Sequence, residues 1–174
     1  RLREGGVKVE DLEIGRADIP RHENLFGWVK PKRPVPARHI HEVGERTLVD
    51  GTIALRLEEP DVAHAAEAIR KAGHEAVGVV LLHSYTNPAH ERRVAAIARE
   101  IGFAQVSVSH EVSPLARFVS RGDTTVVDAY LSPILRRYVE RVAAALPGVR
   151  LQFMQSNGGL TDAHAFQGKD SILS

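Results

Sequence analysis

Apolar side chains recur along this chain with two different periods, and each change of period marks an element. In residues 39–49 and 52–57, Ile40, Val43 and Leu48, then Ile53, Leu55 and Leu57, supply apolar faces on either side of Asp50-Gly51. An Asp-Gly pair between strand-like runs predicts a tight β-hairpin, with Gly44 marking a bulge. Val62, Ala65, Ala66 and Ile69 fall at helical spacing, which predicts a helix capped by Asp61 and ended by Gly73. Residues 76–82 are apolar almost without interruption, the pattern of a strand covered on both faces. Asn87 as cap and Pro88 in the first turn open a second helix, whose stripe is Val94, Ile97, Ala98 and Ile101 and whose end is Gly102. A short strand over residues 105–109 follows. Helical spacing returns over residues 124–146, where Ser132-Pro133 predicts a kink, or a restart with Ser132 as the new cap.

The run Leu151-Gln-Phe-Met-Gln-Ser-Asn-Gly-Gly159 is short, apolar at alternate positions and broken by small residues. It reads as a buried strand ending in a turn, with Thr161-Asp162 capping a helix over residues 163–167. Strand, small-residue turn and helix start are how α/β proteins present backbone N–H groups to an anion, although a plain connection has the same spacing. Strands alternating with helices place the chain in the α/β class: a mixed, largely parallel sheet with flanking helices and one β-hairpin. Residues 21–36 differ. Pro31, Pro34 and Pro36 stand among Lys30, Lys32 and Arg33, which predicts extended, polyproline-like chain.

Composition narrows the function classes. Among 174 residues, 23 basic side chains face 22 acidic ones for a net charge of +1. That balance gives no general attraction to nucleic acid or to an anionic membrane. No apolar run approaches the roughly 20 residues of a membrane helix. Cysteine is absent, so disulfides and thiolate metal sites are excluded and a reducing compartment is permitted. Arg1 follows no signal-peptide pattern, and Ser174 comes directly after Ile172-Leu173, so the chain is expected to be an internal segment of a longer protein.

Function in open α/β sheets gathers at the carboxyl ends of strands. The predicted strand 76–82 delivers His83, Ser84, Tyr85, Thr86 and Asn87 there, with His83 a candidate acid or base. The next strand delivers His110, and Asp123 or Thr124 is placed to cap the long helix. Ser84, Tyr85, His110, Asp123 and Thr124 are therefore candidates for lining a substrate cleft. His39 and His41 share a strand face, but no further metal-ligand pattern joins them, and no metal site is expected. Arg121-Gly122-Asp123 matches a short cell-adhesion string at a length where chance matches are common. Neither a G-x-S-x-G turn, a P-loop nor a G-x-G-x-x-G string occurs.

Four longer strings say more. His83-Ser-Tyr-Thr-Asn-Pro-Ala-His-Glu91, Ser109-His-Glu-Val-Ser-Pro114, Thr124-Thr-Val-Val-Asp-Ala-Tyr-Leu-Ser-Pro133 and Met154-Gln-Ser-Asn-Gly-Gly159 occur in this order. With them the chain resembles the hydantoinase A / 5-oxoprolinase / acetone carboxylase family over most of its length. The resemblance implies part of the actin/sugar-kinase/Hsp70 ATPase superfold. It divides the chain into a lead-in over residues 1–38, the rear of the N-terminal domain over 39–146, and the start of a second, ATPase-like domain over 147–174. It implies an ATP-dependent hydrolase of cyclic amides, cytoplasmic and oligomeric in full-length form, working on a small cyclic amide with a B-type hydantoinase subunit as partner. ATP and Mg²⁺ would serve the complete enzyme, with none expected on this segment alone. Ser156, Asn157, Gly158 and Gly159 would then border the nucleotide. Departures are the missing N-terminal Gly-Gly-Thr hairpin and Arg121-Gly122-Asp123 where a Glu-Arg pair is expected. The alternatives are an acetone-carboxylase-type subunit, a non-catalytic α/β interaction module and a metal amidohydrolase.

Overall fold

The computed structural model of the chain describes residues 40–171. The Pro-rich stretch, His39 and the expected lead-in over 1–38 lie outside them. In order, the elements are β1 (Arg46–Thr47), β2 (Ile53–Leu55), α1 (Glu59–Lys71), β3 (Ala76–Val79), α2 (Ala89–Ile101), β4 (Gln105–Val108), α3 (Ser109–Val112), α4 (Phe118–Ala145), β5 (Gln152–Met154) and β6 (Leu160–Asp162). Short 3₁₀ turns follow at Ala163–Ala165 and Gly168–Ser171.

Register shows how the central layer is built. β3 and β4 run parallel with Val77 opposite Val106, Gly78 opposite Ser107 and Val79 opposite Val108. Side chains alternate across a strand, so Val77, Val79, Val106 and Val108 share one face and Gly78 and Ser107 the other. On the valine face α1 and α2 bring Ala66, Ala95 and Ala98, which bury with Phe103 and the valines. On the other face lies α4. A Cβ at Gly78 would stand 3.6 Å from Cγ2 of Thr125, and Ser107 Oγ donates to Asp128 Oδ2 at 2.6 Å. The pair is thus covered on both faces, as the apolar run 76–82 requires.

Several boundaries and pairings differ from the sequence expectations, each for a physical reason. The sheet is not largely parallel: among the described residues β1–β2 and β5–β6 are antiparallel and only β3–β4 is parallel. The hairpin forms around Asp50-Gly51, with Gly51 at φ 86°, but its irregularity falls between Arg46 and Thr47 rather than at Gly44. Gly44 instead accepts a hydrogen bond from Glu58 N at 3.0 Å. α1 begins at Glu59, with Asp61 inside its first turn and forming no side-chain cap. Asn87 does satisfy a helix-end amide, accepting from Ala89 N at 3.1 Å, while its own amide group donates to Gly51 O at 2.9 Å. That second bond ties the hairpin turn to the loop after β3.

β3 stops three residues short of Leu82. Its partner ends at Val108, and side chains take over the free backbone groups: Glu91 accepts from Leu81 N, and Arg121 donates to Leu81 O and Leu82 O. α4 begins at Phe118, six residues before the expected start, because Arg121, Gly122 and Asp123 are buried in its first turns. Neither Asp123 nor Thr124 caps it, and an Arg-Gly-Asp string locked in a buried helix presents no surface loop. The helix runs through Pro133 without restarting, and Ser132 is no cap. Its hydroxyl donates to Asp128 Oδ1 and accepts from Gly168 N.

The run 151–155 is not a buried strand. β5 pairs only with β6, so alternate side chains face solvent, and Met154 is 70% exposed. Phe153 turns inward, stacked on Phe166 at 5.3 Å and edge-on to Tyr138 at 6.4 Å. Thr161-Asp162 belong to β6, and Asp162 caps only the turn Ala163–Ala165, accepting from His164 N at 3.1 Å. Gly168 lies against α4 with no room for a side chain: a Cβ there would meet Asp128 O and Ser132 Oγ at 2.9 Å. Asp128 Oδ1 also accepts from Lys169 N at 2.6 Å. α4 therefore packs on both the β3–β4 pair and Gly168–Ser171, across the expected division near residue 146.

Candidate functional site

The segments leaving the carboxyl ends of β3 and β4 meet around one buried carboxylate. Glu91, in the first turn of α2, has no solvent exposure. Its Oε1 accepts from Leu81 N at 2.8 Å and Ser109 Oγ at 2.6 Å. Its Oε2 accepts from His110 N at 3.0 Å and His110 Nδ1 at 2.7 Å. Four donors converge on this one carboxylate, and each would be left without its partner on removal of the side chain.

The matching cation is Arg121, also with no solvent exposure. Its guanidinium donates to Leu115 O at 2.6 Å, Leu81 O at 2.5 Å and Leu82 O at 2.8 Å. It lies over the Tyr85 ring at 5.4 Å and the Phe118 ring at 5.8 Å. Burial pulls its basicity below the usual guanidinium value, while the charge of Glu91 opposes that shift. Arg121 thus clamps the carboxyl end of β3 to the start of α4 and to the segment after α3, and balances Glu91.

The candidate residues take distinct places around this pair. Ser84 is buried, donates to Leu81 O at 3.0 Å and stands 3.2 Å from Ser109 Oγ. His83 is half-buried and edge-on to Tyr85 at 5.9 Å, and its Nδ1 is buried with no hydrogen-bond partner. His110 Nε2 is likewise buried without a hydrogen-bond partner, with Glu111 Oε1 at 3.7 Å. Buried polar atoms are nearly always satisfied, so two orphaned imidazole nitrogens at the same end of a sheet call for an explanation. The wiring is not that of a nucleophilic triad. Ser109 gives its proton to the carboxylate rather than to the imidazole, and Ser84 faces a carbonyl.

Asp123 is buried with Oδ1 unpartnered, and burial pushes its carboxyl up to about 6. Thr124 spends its hydroxyl on Ser120 O at 2.9 Å. Sequence reasoning passed over Glu91 and treated Arg121 as part of a departure. The signal for Glu91 was its place in the first turn of a helix whose stripe packs on the sheet.

The turn Ser156-Asn157-Gly158-Gly159 joins β5 to β6 at the surface, with Gly158 at φ 85°. Its amides are already used: Ser156 N donates to Asp170 O at 2.8 Å, Gly158 N to Gln155 O at 2.9 Å and Gly159 N to Asn157 Oδ1 at 2.8 Å. No helix start follows it. These three amides are engaged within the fold, and the bond from Ser156 N goes to Asp170 rather than to the loops after β3 and β4. Among the described residues no group of three or more His, Asp or Glu side chains converges as a metal site, and no helix is long and apolar enough to cross a membrane.

Comparison with known proteins agrees with these motifs. The hydantoinase/oxoprolinase N-terminal region matches residues 7–102, and the hydantoinase/oxoprolinase family matches residues 121–174. The 5-oxoprolinase of Saccharomyces cerevisiae is 44% identical over 120 residues, 67% of this chain and 9% of that protein. Caprolactamase subunit alpha of Pseudomonas jessenii is 36% identical over 136 residues, 75% of this chain and 20% of that protein. The crystal structure of the ATP-dependent caprolactamase from that organism matches with a TM-score of 0.71 at 30% identity, covering 90% of this chain and 24% of the other. Nucleotide-free acetone carboxylase matches with a TM-score of 0.66 at 28% identity, covering 76% of this chain and 20% of the other. The chain spans a quarter or less of the length of each of these relatives. With matches on both sides of the β4–α3 segment that builds the Glu91 cluster, the chain belongs to the hydantoinase/oxoprolinase family.

Proposed function

We propose that this chain is one part of an ATP-dependent hydrolase that opens a cyclic amide, and that the loops after β3 and β4 line its working cleft. The observation that carries the reading is the burial of Glu91 and Arg121 at the carboxyl ends of the strands with two histidines that each leave a ring nitrogen unsatisfied, in a chain whose relatives include a 5-oxoprolinase and an ATP-dependent caprolactamase. A ring amide resists water because its nitrogen lone pair is delocalised into the carbonyl. ATP, when bound, supplies the phosphoryl group that converts the amide oxygen into a leaving group, a task that is mostly positioning and charge neutralisation.

The described residues do not fit ATP or Mg²⁺ themselves. The amides of Ser156, Gly158 and Gly159 are spent within the fold, and no acidic cluster is present among those residues. Nucleotide and metal contacts are accordingly assigned to other parts of a longer polypeptide, in an actin-like ATPase arrangement whose second domain starts near residue 147. The 156–159 turn would border that cleft through Asn157. His83 would face the cleft with Tyr85 against its ring, and Ser84, His110, Asp123 and Thr124 would lie around the substrate. The setting would be cytoplasmic, and a B-type subunit would complete the site. That the caprolactamase relative is a subunit alpha supports such a partner.

The second reading, an ATP-dependent carboxylase, is favoured by the match to acetone carboxylase. Product identity separates the two. The full-length protein carrying this chain, given ATP and a hydantoin, 5-oxoproline or a lactam, should yield the ring-opened acid. A carboxylated product that requires bicarbonate would replace the hydrolase reading with the carboxylase one.

A further inference from the structure

We propose that His110 is the base that takes a proton from the attacking water, through Nε2, and that Glu91 is the residue that positions it. The inference rests on the hydrolase reading above and adds to it the identity of the proton acceptor. The wiring of the imidazole carries it. A neutral imidazole has one N–H, and here Nδ1 meets Glu91 Oε2 at 2.7 Å. An ionised carboxylate accepts and cannot donate, so that proton sits on Nδ1 and Nε2 holds the lone pair. The ring cannot turn over to exchange its nitrogens without giving up this bond, and the backbone N of His110 is fixed to the same Oε2 at 3.0 Å.

Charge balance points the same way. The charge of Glu91 offsets the desolvation of the buried Arg121 guanidinium, so Glu91 has a cationic neighbour apart from His110. Once Nε2 has taken a proton, Glu91 on one side and Glu111, with its Oε1 3.7 Å from Nε2, on the other are placed to stabilise the new cation. Glu111 is also largely exposed, so its side chain can swing aside to admit a ligand to the buried nitrogen without breaking a buried hydrogen bond. His83 lacks such wiring, because nothing fixes which of its nitrogens carries the proton.

The step balances. As the water oxygen bonds to the activated carbonyl carbon, one water proton passes to His110 Nε2. As the ring C–N bond breaks, its electron pair goes to nitrogen and the imidazolium returns the proton there, leaving an acyl phosphate; a second water then displaces its phosphate to give the ring-opened acid and inorganic phosphate. General base catalysis of this kind contributes roughly 100-fold or more.

The test uses the full-length protein carrying this chain. His110→Gln, whose side-chain amide can still donate to Glu91, should keep the wild-type melting temperature and KM while kcat falls roughly 100-fold. His110→Ala should recover part of its kcat on addition of free imidazole, which a purely structural histidine would not show. Glu91→Asp, which keeps the charge but shortens the reach, should lower kcat with KM unchanged. Wild-type kcat in His110→Gln, or a folded His110→Ala that imidazole leaves unchanged, overturns the base role while leaving the hydrolase reading intact. A wild-type protein that opens no cyclic amide with ATP overturns both.

Discussion

Asp123 bears a cost that pH should expose. Only 8% exposed and without a partner for Oδ1, its carboxyl is raised from an ordinary 3.8 to about 6 by burial. The folded chain therefore holds this proton more tightly than the unfolded chain does. Its contribution to stability is fullest below the unfolded value and is lost as pH rises through about 6. Asp123→Asn keeps the shape and removes the charge. Urea unfolding should find the variant more stable than wild type by on the order of 1 kcal/mol near pH 8, with the difference vanishing toward about pH 4. An equal gain at both pH values would contradict this account of the residue. At this scale the sequence was only partly legible. His83, Ser84, Tyr85 and His110 could be placed after strands by counting, but the role of Glu91 depends on burial. A Glu in a polar Ala-His-Glu-Arg string reads as solvated until Leu81, Ser109 and His110 are seen to converge on it. Arg121 was hidden for the same reason: its partners are carbonyls, which leave no trace in side-chain pattern.

Elements with their own stop signals were legible, and those defined by distant contacts were not. α1 and α2 end beside Gly73 at φ 87° and Gly102 at φ 98°, conformations that glycine adopts without strain, so these ends could be read locally. The start of α4 could not, because Arg121-Gly122-Asp123 looks like a polar turn. β6 could not either, since Leu160–Asp162 is three residues long and is a strand only because β5 lies beside it. The two glycines near α4 and the hairpin separate local from tertiary demands. A Cβ at Gly168 would meet the backbone of Asp128, with its O at 2.9 Å and Cα at 3.0 Å, whereas one at Gly159 would meet only the side-chain ends of Gln155 and Asn157. Gly168→Ala should therefore lower stability by about 2 kcal/mol, as overpacking against fixed backbone does, and Gly159→Ala by less than about 1 kcal/mol. Calorimetric melting of the two variants checks the order, and a larger loss at Gly159 would contradict it.

For the whole molecule, the informative contrast is between polar groups that are engaged and polar groups left open. Among the described residues, two buried carboxylates away from the carboxyl ends of β3 and β4 are engaged. Asp128 is satisfied by Ser107, Ser132 and Lys169 N, and Glu45 by His90 at 2.7 Å and Thr47 at 3.2 Å. At the carboxyl ends His83 Nδ1 and His110 Nε2 are left open. A family member spanning a quarter or less of its named relatives is expected to supply one wall of a cleft, with the nucleotide held elsewhere. The most direct measurement is the count of ADP formed against rings opened, made side by side on the full-length protein and on this chain alone. The full-length protein should open a cyclic amide only with ATP, forming ADP in fixed proportion to the product, and the chain alone should do neither. Ring opening without ATP, or ATP turnover by the isolated chain above a mock preparation, would contradict the account.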